Sequence, residues 1–511
     1  MMLAAHALTP QLALDMAVGE SDNRIQAIGK ALETADGPTA KLLQAMADDS
    51  VKVFADSVWI VDSGQARNAV SGELRALPDD AQDVMLNNRM RGEIDAALAA
   101  LKLFSPEASQ RMLAAQAMLK EPDASRRNLL AKARAEETDD SVQAWMTLAL
   151  AALDLSDPVS TTRLAAVQVL AQSSRPDVLL LLNQQLAAEQ DVAVQQTLKT
   201  AIRQVQDGLK WGERLGVLFT GISLGSILML VALGLAITYG LMGVINMAHG
   251  ELMMIGAYAT YLVQLLFRHY LQGGFDYYLI AAIPVAFITS ALVGAALERS
   301  VLRHLYGRPL ETLLATWGIS LMLMQAVRSL FGAQNVGVEN PSWMSGSWAL
   351  LSNLQLPWNR VLIVVFSMAV LAAVALMIGR TRLGLFVRGV TQNRPMASCM
   401  GVNTARIDTY AFALGSGIAG LAGCALSQIG NVGPDLGQSY IVDSFMVVVL
   451  GGVGQLAGTV YAALGLGLLN KVLEGWAGAV LAKIAVLVFI IVFIQKRPQG
   501  IFAMKGRSAE A

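Results

Sequence analysis

The chain has 511 residues, of which 54% are hydrophobic and 15% charged, and its mean hydropathy is +0.49. These values exclude an ordinary soluble protein and indicate a membrane protein. The net charge of −1 conceals an uneven distribution, because residues 1–213 carry 20 Lys/Arg against 29 Asp/Glu and residues 214–511 carry 18 against 10. The basic residues of the second part lie between apolar segments and not along one solvated face, so no nucleic-acid partner is expected.

The N-terminus, "MMLAAHALTP", contains the pattern Ala5-His6-Ala7, which resembles the cleavage site of a secretory signal. It lacks the positively charged start and the apolar h-region that such a signal requires. Two interpretations stay open: residues 1–7 are the remnant of a longer export signal, or the pattern is chance in an Ala-rich chain. Sequencing of the mature N-terminus distinguishes them, since processing predicts an end at Leu8.

Residues 1–210 are predicted to form a soluble domain of short amphipathic helices with an internal repeat. "RMLAAQAML" (111–119) resembles "RLAAVQVL" (163–170), and "DSVQAWMTLAL" (140–150) resembles "DVAVQQTLKTAI" (191–202), at an offset of 51 or 52 residues. Such a repeat is typical of a helical solenoid, here of HEAT-like character. Within it, "VKVFADSVWIVDSG" (51–64) is consistent with a short strand pair. No catalytic constellation is found, which favours a binding surface or a spacer.

Residues 211–511 are predicted to form a membrane domain, which makes the expected fold class all-α, with about 8–10 spans and broken helices. Spanning needs about 20 residues of helix. The apolar segments lie near 215–238, 247–267, 279–301, 312–331, 361–379, 407–427, 441–452, 458–474 and 479–495. The seventh is too short to cross alone, and the "GGVGQLAG" (451–458) that follows it favours a broken helix or a re-entrant turn.

The distribution of Lys and Arg in short loops predicts the orientation of these segments. The basic loops 299–308 and 380–406 and the tail with Lys496, Arg497, Lys505 and Arg507 should be cytoplasmic, whereas loop 332–360, with Arg360 alone and three tryptophans, should be outside. Nine segments with a cytoplasmic C-terminus place the N-terminal domain outside the membrane. Arg268, in an outside loop, is the one discordant charge.

Three polar residues interrupt the first two apolar segments. In "TYGLMGVINMAHGELMM" (238–254), Gly240 and Gly243 precede Asn246, His249 and Glu251. Ionisable groups inside a membrane are costly and mark functional sites. The glycines predict a break in the chain, followed by a helix that starts near Asn246 inside the bundle and whose free N–H groups face a cavity.

The same stretch, "GLAITYGLMGVINMAHGELMMIGAY" (234–258), resembles the signature of permease subunits of ABC importers for branched-chain amino acids and urea. The resemblance continues through "TRLGLFVRGVTQNRPMASCMGVNTARI" (381–407) and "VVVLGGVGQLAGTVYAALGLGLLN" (447–470) to the closing "RPQGIF". "ETLLATWGISL" (311–321), "PSWMSG" (341–346) and the long N-terminal domain are similar to the urea-transport branch. The resemblance implies a bacterial-type inner-membrane protein whose partners are two ABC ATPase subunits, a second related permease and a periplasmic substrate-binding protein.

The loop 380–406 is the only cytoplasmic segment long enough for a docking helix, which "RGVTQNRPMASCMGV" predicts around 392–400 with Asn393 as its cap and Pro395 in its first turn. By resemblance this is the coupling helix that contacts the ATPase. Its residues that match the family pattern are Arg388, Asn393, Arg394, Ala397 and Gly401. The alternative is a basic loop that only fixes topology. Replacement of Ala397 by Glu is expected to uncouple transport without affecting membrane insertion.

The chain contains no G-x-x-x-x-G-K-[ST] motif, so a transport subunit without its own ATPase site is expected, with no cofactor and no metal. Urea is small and neutral and needs a few fixed polar groups, for which the candidates are Asn246, His249, Glu251, Thr316 and Gln455. For Thr316, a hydrogen bond back to its own helix is the favoured interpretation. A branched-chain amino-acid permease is the alternative within the family, and an ion-coupled secondary carrier is the alternative outside it.

Overall fold

The computed structural model describes residues 8–34, 37–62, 65–76, 81–243, 246–497 and 500–502. Residues 1–7, on which the export-signal hypothesis rests, lie outside these ranges, as do Lys505 and Arg507 of the basic tail. The chain divides into two compact units, Met1–Trp211 and Gly212–Ala511.

The described residues of the first unit form helices, five strands and two short 3₁₀ helices. The helices are α1 Pro10–Ala17, α2 Ser21–Thr34, α3 Gly37–Ala47, α4 Asn88–Leu101, α5 Ala108–Lys120, α6 Arg127–Glu136, α7 Asp140–Asp154, α8 Ser160–Ala171, α9 Pro176–Ala188 and the first part of α10 Val192–Met242. The strands are β1 Val51–Phe54, β2 Ser57–Asp62, β3 Gln65–Asn68, β4 Leu74–Arg75 and β5 Gln82–Asp83, and the 3₁₀ helices are Lys102–Phe104 and Ala124–Arg126.

The strands form an antiparallel sheet in the order β4-β3-β2-β1-β5, so the prediction of an all-α fold is wrong for this unit. The predicted strand pair is present as the β1–β2 hairpin, whose turn residues Ala55 and Asp56 have φ of 49° and 53°. Positive φ at both positions is the geometry of a two-residue type I′ turn. The sheet was not predicted as a whole because β4 and β5 have two residues each, which is too short for an alternating pattern.

The internal repeat is visible in two matching arginine clasps. Arg111 donates to the two Glu137 carboxylate oxygens at 2.7 and 2.9 Å, and to the carbonyls of Ser105 and Pro106. Displaced by 52 residues, Arg163 donates to Glu189 at 2.8 and 3.0 Å, and its other contacts are the carbonyls of residues 157 and 158. The repeat offset therefore has a structural counterpart, whereas the HEAT-like class stays a prediction.

Within the ranges that the structure describes, the second unit is a bundle of long apolar helices with one β-hairpin. Its helices are the rest of α10, α11 His249–Tyr270, α12 Tyr278–Ser300, α13 Pro309–Phe331, α14 Trp358–Arg380, α15 Arg382–Gln392, α16 Arg394–Cys399, α17 Thr404–Ser427, α18 Leu436–Gly451 and α19 Leu456–Lys496. The hairpin strands are β6 Ser347–Leu351 and β7 Leu354–Pro357, and 3₁₀ helices lie at Gln272–Tyr277, Leu302–Leu305 and Ser342–Met344. Among the described residues, seven helices are long and apolar enough to cross a membrane, against the 8–10 spans predicted.

The difference between the seven candidate spans of the structure and the predicted 8–10 comes from the last part of the chain. The predicted segment 441–452 is α18, which has only 16 residues, and the two segments after it fall within α19, which has 41. Gly478 interrupts α19 with φ 79° and ψ 165°. The N–H of Ile501, just past α19, donates to the carbonyl of Leu450, just before it, at 2.8 Å. A continuous helix of this length would separate its ends by about 61 Å, so the chain reverses at Gly478.

Small residues bring the helices of the bundle close together. A Cβ on Gly225 of α10 would lie 2.9 Å from the carbonyl oxygen of Ala463 in α19, and Gly256 of α11 and Gly420 of α17 meet backbone to backbone. Side chains this small let two helices approach without hydrophobic bulk between them. Gly221, one helical turn before Gly225, meets the same helix, since a Cβ there would lie 2.9 Å from the Cα of Leu468.

The hairpin and the short helices α15 and α16 lie at opposite ends of this bundle. Helix α14 joins β7 directly to α15, and its 23 residues span about 35 Å. At the hairpin end, Asn353 packs against Gly212, and Arg268 pairs with Glu339 at 2.6 Å. The described contacts thus define one end by the β6–β7 hairpin and the other by α15 and α16.

Candidate functional site

The predicted break in the chain lies between α10 and α11. Helix α10 ends at Met242, Gly243 follows with φ 68°, and α11 begins at His249 rather than near Asn246. Residues 244 and 245 lie outside the described ranges. The side-chain oxygen of Asn246 accepts a hydrogen bond from the N–H of Ala248 at 3.0 Å. Asn246 thus shapes the turn that precedes the helix and does not cap the helix itself.

His249 is fully buried at the start of α11. Its Nε2 lies 3.1 Å from the carbonyl oxygen of Val231, which only accepts hydrogen bonds. Nε2 therefore carries the proton in the neutral ring, and Nδ1 is left as an acceptor without a partner. Gly234 provides the space for the ring, because a Cβ there would lie 3.0 Å from the His249 Cε1.

Glu251 is 1% exposed and has one partner in the described structure. Its Oε1 accepts from the hydroxyl of Ser320 at 3.0 Å, whereas Oε2 has none. The carboxylate faces the start of α18, where a Cβ on Gly437 would lie 2.8 Å from the Glu251 Cδ, and Gly250 contacts Gly437 directly. Two helices thus begin at the same place inside the bundle, and the positive ends of their dipoles favour a negative charge there.

Thr316 belongs to the same cluster. Its hydroxyl donates to the carbonyl of Leu313 at 3.1 Å, which confirms the predicted bond back to its own helix. It also accepts the N–H of Met247 at 3.2 Å, so it holds the broken segment in place. Gln455 stands apart at the residue before α19, and no described contact joins its side chain to the cluster.

Two members of the cluster were missed by the sequence analysis. Ser320 lies one helical turn after Thr316 and faces Glu251, and Gly437 marks the start of α18 beside the carboxylate. The i, i+4 spacing of two hydroxyl residues in an apolar helix is a signal that could have indicated Ser320. A cavity of about 220 Å³ in the described part of this unit, lined by residues such as Leu279, Trp343 and Phe366, borders none of these groups.

A helix, α16, lies where the sequence predicts one around 392–400, and its docking role stays a prediction. The side chain of Asn393 accepts from the N–H of Met396 at 3.0 Å, and Pro395 lies in the first turn. Gly401 follows the helix with φ 83°, a conformation that favours glycine. Arg388 lies on α15, where its Nε contacts the carbonyl of Gly384 at 3.4 Å.

Ala397 faces the bundle and not the solvent. Ala397 is partly buried and packs against an apolar cluster that includes Val390 and Ile407. The large apolar side chains that face outward on α16 and at its end are Met396, 59% exposed, and Met400, 78% exposed. An Ala397→Glu substitution would therefore disturb internal packing first, so it does not isolate a docking surface as expected.

Metal chemistry has no visible basis in the described part of the chain. No group of three or more His, Cys, Asp or Glu side chains there is placed to hold a metal ion. Glu251 accepts from the Ser320 hydroxyl and His249 contacts the Val231 carbonyl, and no described hydrogen bond joins Ser320 to His249. The cluster offers hydrogen-bonding groups at a helix junction and no arrangement for covalent catalysis.

A multi-pass membrane protein with polar groups at helices that begin inside the bundle has the architecture of a transporter. A sequence profile of the family described as "Branched-chain amino acid transport system / permease component" matches residues 217–495. The chain belongs to this family, and it is a permease subunit of the ABC-transporter type, not an enzyme.

Curated relatives agree with this assignment. The high-affinity branched-chain amino acid transport system permease protein LivH of Escherichia coli (strain K12) is 29% identical over 293 residues, covering 56% of this chain and 94% of the relative. The corresponding protein BraD of Pseudomonas aeruginosa is 27% identical over 290 residues, with the same coverage of both chains. A ribose import permease, RbsC of Escherichia coli, matches over 102 residues at 31% identity, 19% of this chain and 32% of its own. No solved structure matches the chain.

Proposed function

We propose that this chain is the membrane permease subunit of an ATP-driven importer and that its substrate is urea. The assignment of urea as the substrate rests on one observation, the buried polar cluster at the α10–α11 break. It leaves the Nδ2 of Asn246, the Nδ1 of His249 and the Oε2 of Glu251 without partners, and none of the hydrogen bonds described for these residues involves Lys or Arg. Urea has N–H donors and a carbonyl acceptor but no charge, so it needs fixed polar groups of both kinds and no cation.

Two features of the sequence, both through the resemblance to the urea-transport branch, also support urea. The stretches "ETLLATWGISL" and "PSWMSG" resemble the urea-transport branch, and Thr316 and Ser320 of the cluster both lie in the first. The family profile begins at residue 217, so the first unit has no counterpart in that match. A long N-terminal domain is a feature of the urea branch by the same resemblance.

A branched-chain amino acid is the second candidate, because the relatives are named for that substrate. One observation favours it: the helix starts at Gly250 and Gly437 are in contact beside Glu251. Helix N-termini bind carboxylates in transporters with broken helices, and Glu251 would bind the ammonium group of a zwitterion.

The N-terminal unit is proposed to be periplasmic and to have the character of a HEAT-like repeat, with the C-terminus in the cytoplasm. Residue 212, where the second unit begins, packs against Asn353 of the β6–β7 hairpin, in the loop that has Arg360 as its one basic residue. The arginine-rich α15 and α16 lie at the other end of α14. This supports the positive-inside orientation.

The proposed partners follow from that orientation. Two ATPase subunits would dock at α15 and α16, with a second related permease beside the bundle and a periplasmic binding protein at the hairpin end. The exposed Met396 and Met400 are suited to a protein contact, since unbranched thioether side chains adapt to a partner surface.

The test is uptake of labelled urea and labelled leucine by proteoliposomes that contain the whole complex. Urea uptake that requires ATP and survives collapse of the ion gradient supports the proposal, and Glu251→Gln should reduce it while Glu311→Gln, an exposed control on α13, should not. ATP-dependent uptake of leucine without urea would establish the second candidate instead. Uptake that follows the ion gradient and ignores ATP would overturn the ATP-driven mechanism.

A further inference from the structure

We propose that the ion pair between Arg394 and Asp408 is the contact through which α16 moves the core of the permease. The inference rests on the proposed role of α16 as the docking site of the ATPase. It assigns to Arg394 and Asp408 a positioning role in transport that docking alone does not require.

Arg394 is the only charged residue of α16, and it points back into the bundle. Its guanidinium pairs with the carboxylate of Asp408 on α17, whose side chain is 1% exposed. The same guanidinium lies over the ring of Tyr306 at 5.3 Å from the centroid. The Arg394 side chain is itself 37% exposed, but loss of the pair would leave the buried Asp408 carboxylate without this cation, so separation of the two groups costs free energy.

The ion pair is part of a larger polar cluster at this end of the bundle. The hydroxyl of Tyr306 donates to Glu298 Oε1 at 2.9 Å, and the hydroxyl of Thr409 donates to Glu298 Oε2 at 2.6 Å. Glu298 is fully buried near the end of α12, and Arg303 pairs with it at 3.4 Å. Arg394 thus contacts α17 directly through Asp408, and Tyr306 links it to Glu298 of α12.

Helix α17 connects this cluster to the α10–α11 break. Two helical turns after Asp408, Gly415 packs on α10 so closely that a Cβ on it would lie 2.6 Å from the Gly234 carbonyl oxygen. Gly234 is also the residue that makes room for the His249 ring. A shift of α17 along its axis would therefore act on the groups proposed to contact substrate, through packed backbone that has little freedom to deform.

Ala397 also joins α16 to the bundle, but its contact is different in kind. It packs against an apolar cluster through one methyl group, and such a contact is non-directional. The ion pair fixes both distance and direction between α16 and α17. The ion pair is therefore the contact that converts a displacement of α16 into a displacement of α17.

The experiment compares ATP hydrolysis with uptake in proteoliposomes that contain the whole complex. The variants are Arg394→Gln, Asp408→Asn and the charge exchange Arg394→Asp with Asp408→Arg, and Arg299→Gln, an exposed arginine next to Glu298, is the matched control. Each neutral variant should raise the ATP hydrolysed per molecule imported by about tenfold, while the charge exchange should restore most of the coupling. The control should leave the ratio unchanged.

Neutral variants whose uptake and ATP hydrolysis fall in parallel, with an unchanged ratio, would overturn the inference, because that is the result of a purely structural pair. A wild-type complex without ATP-dependent uptake would instead overturn the proposed function. Should a neutral variant fail to assemble, Arg394→Lys takes its place. Lys keeps the charge but not the planar fork of donors, so a raised ratio supports the proposal and a wild-type ratio overturns it.

Discussion

The hydroxyl of Ser320 donates a hydrogen bond of 3.0 Å to Oε1 of Glu251 and so ties α13 to the start of α11. Both residues are buried, at 4% and 1% exposure, and the second carboxylate oxygen has no partner in the described structure. A buried carboxylate with one free oxygen is an acceptor held ready for a ligand group or a water molecule, because an orphaned acceptor carries a desolvation cost. The Ser320 bond fixes where that oxygen points.

Ser320→Ala should therefore release the Glu251 side chain. We expect a loss of about 1 kcal/mol in the free energy of unfolding, measured by thermal unfolding in detergent, and a larger relative loss of substrate uptake. Ser329→Ala is the control, since the Ser329 hydroxyl is exposed on the same helix and bonds to the carbonyl of Gln325. Equal effects of the two substitutions would mean that the Glu251 contact contributes nothing specific.

Gly437→Ala should disrupt the meeting point of α11 and α18. A Cβ at Gly437 would lie 2.5 Å from the backbone carbon of Gly250 and 2.8 Å from Cδ of Glu251, so one of the helices must shift. Forced overpacking costs about 1–3 kcal/mol, which should appear as a lower unfolding temperature in detergent. Gly465→Ala in α19 has open space around its Cβ and should leave that temperature unchanged. A stable, active Gly437→Ala protein would contradict the close contact.

Most of the membrane architecture was predictable because lipid imposes a strong pattern on sequence. A spanning helix requires a long apolar run, so each segment predicted between 215 and 495 falls on a described helix, and the too-short seventh segment is α18. Asn246, His249 and Glu251 were recognised because polar groups in such runs are rare. The same rule applies to Asp408, which lies in the predicted span 407–427 and was overlooked.

The contacts among these residues were not predictable from one sequence. Glu251 and Ser320 are separated by 69 positions, and Glu298 and Thr409 by 111, so their pairing depends on how whole helices pack. The inward direction of Ala397 likewise follows from the docking of α16 on the bundle, which no local pattern encodes. The sheet of the first unit was missed because its edge strands are two residues long.

Met400→Glu should weaken the association with the ATPase subunits. Met400 is 78% exposed just past α16, and a carboxylate there would be buried without a partner in an apolar contact. We expect co-purification of the ATPase to fall by about tenfold while the permease remains folded. Ala397→Glu should give the opposite pattern, with less folded permease, because Ala397 packs inward. Undiminished co-purification with Met400→Glu would exclude this face of α16 from the interface.

The arginine clasp of the second repeat predicts a pH dependence of local stability in the first unit. The hydrogen bonds from Arg163, together with those from the N–H groups of Gln190 and Asp191, lower the pKa of Glu189 from 4.5 to about 2. Because the folded-state pKa lies below the unfolded value, the stabilisation is complete above pH 4.5 and is lost as the pH falls toward 2.

Hydrogen exchange at the amides of residues 190 and 191 in the full-length protein measures this local stabilisation. Glu189→Gln should cost about 1.5–3 kcal/mol at neutral pH and remove most of the pH dependence, whereas Glu136→Gln, an exposed neighbour of the first clasp, should do neither. If the protection factors of these amides in the wild-type protein stayed constant between pH 5 and 3, about the range in which ordinary carboxylates titrate, this would contradict the assigned role of the clasp.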